Sequence, residues 1–250
     1  MYQIDLNADL GEGCGDDSAI IPLLSSANIS CGAHAGSTAD IVAALTCCRE
    51  HGVIVGAHPS YPDRENFGRI SVRMPVAELL KSLQQQIDQL CQLASAVGVT
   101  IRYVKLHGAL YNDAVKDPVL ASALADFFAD EYPLLALLTL AGGCLYETAR
   151  QAGIAVYSEA FADRAYQTNG QLVSRQQPGA VLSNPDAIRQ SLQLVCQQHI
   201  NSIDGQPFAL QAASLCLHGD SPAALTLARQ LRLALQAAQV QISPFWQENR

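Results

Sequence analysis

The chain has 250 residues, 49% hydrophobic and 15% charged, a length that can bury a substantial core in one large α/β domain. Its formal net charge of -8, with three lysines and no basic run, argues against nucleic-acid binding, which needs clustered Lys and Arg against phosphates. No apolar run reaches the length of a membrane span.

The first stretch, Tyr2 to Gly13 (YQIDLNADLGEG), reads as a strand. Period-two alternation puts Ile4, Leu6, Ala8 and Leu10 on one face and Asp5, Asn7 and Asp9 on the other, with Glu12 just beyond. An edge strand with one solvated face would account for this stretch alone. Ala27 to Cys31 is a short second strand ending in SCGAHAGS, and a helix follows over about Thr38 to Glu50. Val53 to Ala57 is a third strand, with the loop HPSYPDRENFGR after it and a long helix over about Pro75 to Val97. Ile101 to Leu106 is a fourth strand, ending in KLHGALYN.

Asp117-Pro118 opens the next helix, Asp as N-cap and Pro at the first helical position. Leu134 to Leu140 is a fifth strand, and Gly142-Gly143 leads into another helix. Ile154 to Ala160 is a sixth strand, followed by an irregular segment from Phe161 to Ser183 with a small hairpin around Gly170. Asn184-Pro185 and Ser221-Pro222 repeat the cap-then-proline signal, with a strand from Ala213 to Leu217 between them, ending in HGDS. The last helix buries Leu227, Ala228, Leu231, Ala234, Leu235 and Ala238 on one face. Val240 to Ile242 is a short final strand or tail.

About seven strand-helix units imply parallel strands joined by right-handed crossovers, and they fit one (β/α) barrel over residues 1–250 better than a doubly wound open sheet. Neither a dinucleotide-binding glycine fingerprint nor a P-loop supports the open sheet. Polar residues begin at once, with no secretory signal ahead of them. The eight cysteines include no CxxC pair, so they read as small packing residues, and the expected location is the cytoplasm.

In a parallel barrel the active site lies at the carboxyl ends of the strands. Asn7, Asp9, Glu12, Ser30, His34, His58, Asp63, Lys105, His107, Glu159, Asp163, Arg164, His218 and Asp220 all fall there. His51 and His199 are placed instead in the last turns of helices, where a histidine suits the terminal carbonyls. Lys105 and His107 alternate onto one strand face, so both enter the mouth together, and a lysine inside a barrel needs an anionic partner or ligand. Acids and histidines permit metal-assisted hydrolysis or metal-free acid-base catalysis, and spacing does not choose between them. Cys14 and Cys31 are read as packing or lining residues near the mouth.

The segments DLNADLGEG, SSANISCGAHAG, GAHPSYPD with FGR after it, VKLHGALYN, EAFADRAY and LCLHGD run in order from residue 5 to residue 220. Together they resemble the LamB/YcsF family, the A subunits of bacterial ATP-hydrolysing 5-oxoprolinases. The resemblance implies a seven-stranded TIM-like (β/α) barrel of the glycoside hydrolase/deacetylase type. It also implies ATP-dependent opening of 5-oxo-L-proline to L-glutamate, with two further subunits, B and C. The motif residues carried over are the strand-end residues named above apart from Asn7 and Ser30, with Arg69 added. The expected catalytic set is Asp9, Glu12, His58, Lys105 and His107. The expected substrate-binding set is Asn7, His34, Asp63, Arg69, Glu159, Asp163, Arg164, His218 and Asp220.

Three positions depart from the family pattern: Leu106 stands where proline is usual, Ser37 where an acid is common, and Asn66 where glycine is frequent. Two other readings stay open. One is a metal-dependent deacetylase or amidohydrolase, with Asp9, His34 and His58 as ligands. The other is a non-catalytic protein that binds and presents substrate. No GxxxxGK[ST] loop occurs, so ATP with Mg2+ is expected to be handled by the partner subunits.

Overall fold

Strand β1 (Tyr2–Leu10) is buried on both faces from Ile4 onward, although every second residue is polar. Asp5 is 1% exposed and Asn7 0%, so the solvated edge strand is excluded and the polar face points into the protein. The structure, a computed structural model, describes residues 2–218 and 224–246. After β1 come a short helix α1 (Asp17–Ile20), a 3-10 turn, β2 (Ser26–Ser30), α2 (Thr38–His51), β3 (Ile54–His58), α3 (Val76–Ala96) and β4 (Ile101–Val104). Then follow α4 (Gly108–Lys116), α5 (Pro118–Glu131), β5 (Ala136–Leu140), α6 (Cys144–Gln151), β6 (Val156–Phe161) and α7 (Asn184–Gln197). The last elements are β7 (His199–Asn201), β8 (Pro207–Ala209), β9 (Ser214–His218), α8 (Ala224–Ala237) and β10 (Val240–Ile242).

The sheet runs β1-β2-β3-β4-β5-β6-β9 and closes through β1–β9, with every pairing parallel, which makes a seven-stranded barrel. β10 adds beside the start of β1, pairing Tyr2–Ile4 with Val240–Ile242. The open-sheet alternative fails at that closing seam, where Asp5–Asp9 register with Ser214–His218. The helices cover the outside with apolar faces at helical spacing: Ile41, Ala44, Leu45 and Cys48 on α2, and Leu227, Ala228, Leu231 and Leu235 on α8. No helix among the described residues is long and apolar enough to cross a membrane.

Several details differ from the sequence expectations. β1 stops at Leu10, because Gly11 turns the chain at φ +73°. His199 begins the antiparallel β7–β8 hairpin, since α7 ends at Gln197 and Gln198 takes the left-handed conformation. Helix α4 starts straight after His107, with no cap-then-proline pair to signal it. The expected hairpin around Gly170 is present as a bridge between Tyr166 and Leu172. All eight cysteines are free. The Ser221-Pro222 signal and Asp220 lie outside the described residues.

Near the amino ends of the strands, Tyr103, Ala136 and Leu138 pack with Tyr157, Phe245 and Trp246 and close that end of the barrel. Gly56 makes room for this floor, because a Cβ there would lie 2.2 Å from the Tyr103 ring. The carboxyl ends are left open.

Candidate active site

The inward side chains form three polar layers. The deepest is built on Asp5, whose carboxylate accepts from Ser25 Oγ at 2.6 Å, from Ser26 Oγ at 2.8 Å and from Ser214 Oγ. Burial pushes the Asp5 carboxyl up to about 6 against the pull of these hydroxyls. Above it, Asn7 donates to Glu159 Oε1 at 3.0 Å and to Ser214 Oγ at 2.7 Å, and accepts from Asn28 Nδ2 at 2.7 Å. Tyr103 Oη donates to Asn28 Oδ1 at 2.7 Å. These buried side chains hydrogen-bond to one another, as burial of polar groups requires.

The second layer is Lys105, 2% exposed. Its Nζ donates to Asp9 Oδ1 at 2.8 Å and Glu159 Oε1 at 2.9 Å, and lies 3.1 Å from Cys216 Sγ. Burial opposes its charge, but Asp9, Cys216 and Glu159 outweigh it and hold the ammonium well above its ordinary pKa. Asp9 likewise stays ionised: burial works against it, and His58 and Lys105 hold it well below the usual carboxylate range.

The third layer is a histidine cluster. His58 Nδ1 lies 2.8 Å from the Lys105 carbonyl oxygen, and His58 Nε2 lies 3.3 Å from Asp9 Oδ2 and 2.9 Å from His107 Nδ1. His107 Nε2 lies 2.9 Å from the Phe67 carbonyl oxygen. His34 is stacked on His107, with centroids 3.8 Å apart, and spans Ser60 Oγ at 3.0 Å and Glu12 Oε1 at 3.1 Å. Burial, then the nearby His58, pushes His34 down to about 3 and His107 well below its ordinary value, so both rings are neutral at pH 7.

The loop before α4 is shaped for this cluster. Asn66 Nδ2 donates to Asp63 Oδ1 at 2.9 Å, and Phe67 is held at φ +57°, which aims its carbonyl at His107. Asn66 thus closes the turn with a hydrogen bond where the family pattern has glycine. Leu106 is buried, and the backbone bonds to the β3 strand and its loop come from Lys105 to Ala57 and His107 to Pro59, not from residue 106. Ser37 caps α2 in a reciprocal box with Asp40.

A cleft of about 470 Å³ opens above these layers. Asp9, Glu12, His58, Lys105 and His107 line its floor, and Arg69, Arg164 and His218 line its wall. The expected residues Asn7, His34, Asp63, Glu159 and Asp163 do not line it. Asn7, His34 and Glu159 lie beneath or behind the floor and orient the groups that do. Asp63 shapes the loop of residues 63–68, its carbonyl accepting from Gly68 N at 2.7 Å. Asp163 meets His218 Nδ1 at 2.8 Å; burial opposes its charge and His218 holds it below the usual range. Neither Cys14 nor Cys31 lines the cleft: Cys31 packs in the core, and the half-exposed Cys14 donates from Sγ to Glu12 Oε2 at 3.8 Å.

Sequence reading misses Arg175, Lys116 and Tyr111 on the cleft wall. Arg175 sits in the irregular segment after β6, where no motif marks it; Tyr111 lies within the motif VKLHGALYN. Burial and the neighbouring Glu159 push the Tyr111 hydroxyl well above its ordinary value. Burial and the neighbouring Arg175 push the Arg164 guanidinium down to about 10, while its Nε and Nη2 donate to the carbonyls of Ala180 and Val173. The wall is therefore rich in cation and the floor in acid and imidazole. A tight group of possible metal donors also differs from the expected Asp9, His34 and His58: Glu12, His34, His58 and His107 offer atoms within 4.8 Å of one another.

Comparison with known proteins adds independent findings. A protein of Neisseria meningitidis serogroup A, named as the A subunit of 5-oxoprolinase, is 48% identical over 97% of this chain and 100% of its own length. A Pseudomonas syringae protein, named as the 5-oxoprolinase A subunit numbered 3, is 45% identical over 98% of each. The crystal structure of a lactam utilization protein from Thermus thermophilus superposes with a TM-score of 0.90 at 39% identity, over 96% of this chain and 99% of that one. The LamB/YcsF family model matches residues 4–250, and the chain belongs to the LamB/YcsF family.

Proposed function

We propose that this chain is the hydrolytic A subunit of an ATP-dependent 5-oxoprolinase, opening 5-oxo-L-proline, or its phosphorylated form, to L-glutamate. The observation that carries the reading is the floor of the cleft, where an ionised Asp9 bridges the Lys105 ammonium and the His58–His107 pair. Such a floor holds a water against a base on one side and stabilises a developing oxyanion on the other. Arg69, Arg164 and Arg175 on the wall suit the carboxylate of the lactam or a phosphoryl group on it. The names of the full-length relatives agree with this substrate.

A lactam is a resonance-stabilised amide, so water attack needs an activated carbonyl. Phosphorylation of its oxygen makes the carbon a better electrophile: water adds there, the ring C–N bond breaks as a proton passes to the nitrogen, and a second water releases phosphate from the resulting acyl phosphate to give glutamate. Asp9 and His107 are the candidates for moving the proton. Lys105 cannot act as base, since its neighbours keep it charged.

The phosphorylating step is assigned to the B and C subunits. Gly142-Gly143, the best phosphate-loop candidate in the sequence, is a turn. Gly142 has φ +70°, and a Cβ on Gly143 would press on Val115 at 3.1 Å. The purified chain, ATP, Mg2+ and 5-oxoproline should release no ADP or glutamate until both partner subunits are added. Release of both products by the chain alone, at the rate of the full mixture, contradicts the assignment. In the full mixture Asp9→Asn and His107→Ala should each lower glutamate formation at least about 100-fold. Unchanged turnover in both would remove the floor from the chemistry and leave this chain a non-catalytic member of the complex.

A further inference from the structure

We infer that Asp9, Glu12, His58 and His107 form a binding site for one divalent transition-metal ion of the zinc, cobalt or manganese class, with His34 outside its coordination shell. The inference stands on ligand geometry and not on the identity of the substrate.

The hydrogen bonds fix the tautomers. A carbonyl oxygen only accepts, so His58 Nδ1, 2.8 Å from Lys105 O, carries hydrogen. His107 Nε2, 2.9 Å from Phe67 O, carries hydrogen for the same reason. Those hydrogens leave His58 Nε2 and His107 Nδ1 as the nitrogens open to a further partner, and these two atoms face each other at 2.9 Å. Asp9 Oδ2 lies 3.3 Å from the first and Glu12 Oε1 lies 3.6 Å from the second. The two ring nitrogens and the Asp9 and Glu12 oxygens thus converge on one point, which either a proton shared between the rings or a metal ion would occupy. Backbone carbonyls that hold the far nitrogen of each ring are the outer-shell device by which metal-binding histidines are oriented.

A divalent ion suits the charge better than a proton. Glu12 and Glu159 are buried, the Asp9 side chain is 13% exposed, and Lys105 is the buried ammonium among them. A single added proton leaves the carboxylates in excess, whereas a divalent ion offsets both remaining charges.

Ring orientation decides which histidines take part. His58 and His107 are at 84°, so their in-plane lone pairs can meet at one point. With metal–nitrogen bonds of about 2.1 Å, two nitrogens 2.9 Å apart subtend roughly 90°, the angle of adjacent ligands in a six-coordinate shell, and a small separation of the rings reaches the tetrahedral angle. His34 and His107 are parallel to within 8°. Parallel planes do not meet, so the two rings cannot direct lone pairs at the same ion. His34 instead holds Glu12, its Nε2 3.1 Å from Glu12 Oε1 and its Nδ1 3.0 Å from Ser60 Oγ. Two imidazole nitrogens with two carboxylates select borderline metals over calcium or magnesium, which prefer all-oxygen shells.

The test is titration of the chelator-stripped full-length chain with Zn2+, and with Co2+ followed by visible absorption. One ion per chain should bind, raise the melting temperature, and give Co2+ bands that respond to the ligands. His107→Ala and Asp9→Asn should each weaken binding at least about 100-fold, with the circular dichroism of the metal-free fold retained. If either variant misfolds, His58→Gln supplies the ligand deletion. His34→Gln should weaken binding by about 10-fold and leave the Co2+ bands in place. No stoichiometric binding by the wild type would overturn the site and make a proton its occupant. Binding that survives the ligand substitutions unchanged would also overturn it. Loss of the Co2+ bands in His34→Gln would refute the exclusion of that ring.

Discussion

Asp5 lies deepest of the inward residues of β1, and its carboxyl, pushed up to about 6 by burial, titrates well away from its ordinary value. Between about pH 4 and 6 the folded chain keeps a proton that the unfolded chain has released. The stability this group contributes is full below about pH 4 and is lost as pH rises through about 6. His34 and His107 act in the opposite sense, because their folded values lie below the unfolded ones and their contribution is lost as pH falls. The comparison that isolates Asp5 is wild type against Asp5→Asn, by chemical denaturation from pH 4 to 7. The wild-type advantage should shrink by about 3 kcal/mol over that span, and a pH-independent difference would rule out the buried titration. Lys105 permits a sharper deletion. Lys105→Met leaves Asp9 and Glu159 facing each other without their shared cation, at a cost of about 3–5 kcal/mol in the same assay. A loss under about 1 kcal/mol would mean that water reaches these carboxylates freely.

At the scale of elements, glycine separates packing from backbone strain. Gly56 on β3 faces the Tyr103 ring, which is buried and tethered to Asn28, so the ring cannot swing away from a new methyl group. Gly52, the left-handed cap of α2 at φ +67°, has open space around its Cβ direction. Gly52→Ala should therefore cost only about 1 kcal/mol, from backbone conformation. Gly56→Ala should cost about 3 kcal/mol or more, from overpacking. Equal melting temperatures for the two variants would contradict this account of β3. The cap at Asp117 is readable because a cap is local: its side chain accepts from the backbone N–H groups two and three residues ahead. The Asn184-Pro185 signal marks its helix one residue late, since Ser183 is the cap and bonds to Asp186 N. Helix α4 is not readable, because His107 sits at its cap position without a capping side-chain bond.

For the whole molecule, closure of the barrel floor depends on the last described residues. Phe245 packs edge-on to Tyr103 at 5.0 Å and against Tyr157 at 4.7 Å, and the Arg102 guanidinium lies over Trp246 at 4.5 Å. Phe245→Ala should cost about 1–3 kcal/mol, since the ring is only half-buried, and lower the melting temperature without changing the affinity of the cleft for its ligand. An unchanged melting temperature would show that the floor is closed by the tyrosines alone.

The alternation of strand and helix, the inward polar face of β1 and the collection of acids and histidines at strand ends follow from the sequence, because period-two and helical patterns and caps are local properties. The motifs likewise place the chain in its family. Depth and orientation are not local. Asn7 meets Glu159 and Asp5 meets Ser214 only because β1 closes against β9 and β6 joins the same ring. Alternation says which face a side chain takes, not how far down the barrel it lies. So the sequence groups Asn7, His34 and Glu159 with Asp9 and Lys105, although they sit beneath or behind the cleft. Arg175 reaches the wall through an irregular segment whose path is set by long-range contacts, such as Arg164 with Val173 and Ala180. The stack of His34 on His107, which separates a positioning ring from a ligating one, depends on three loops meeting in space, and only the tertiary structure decides it.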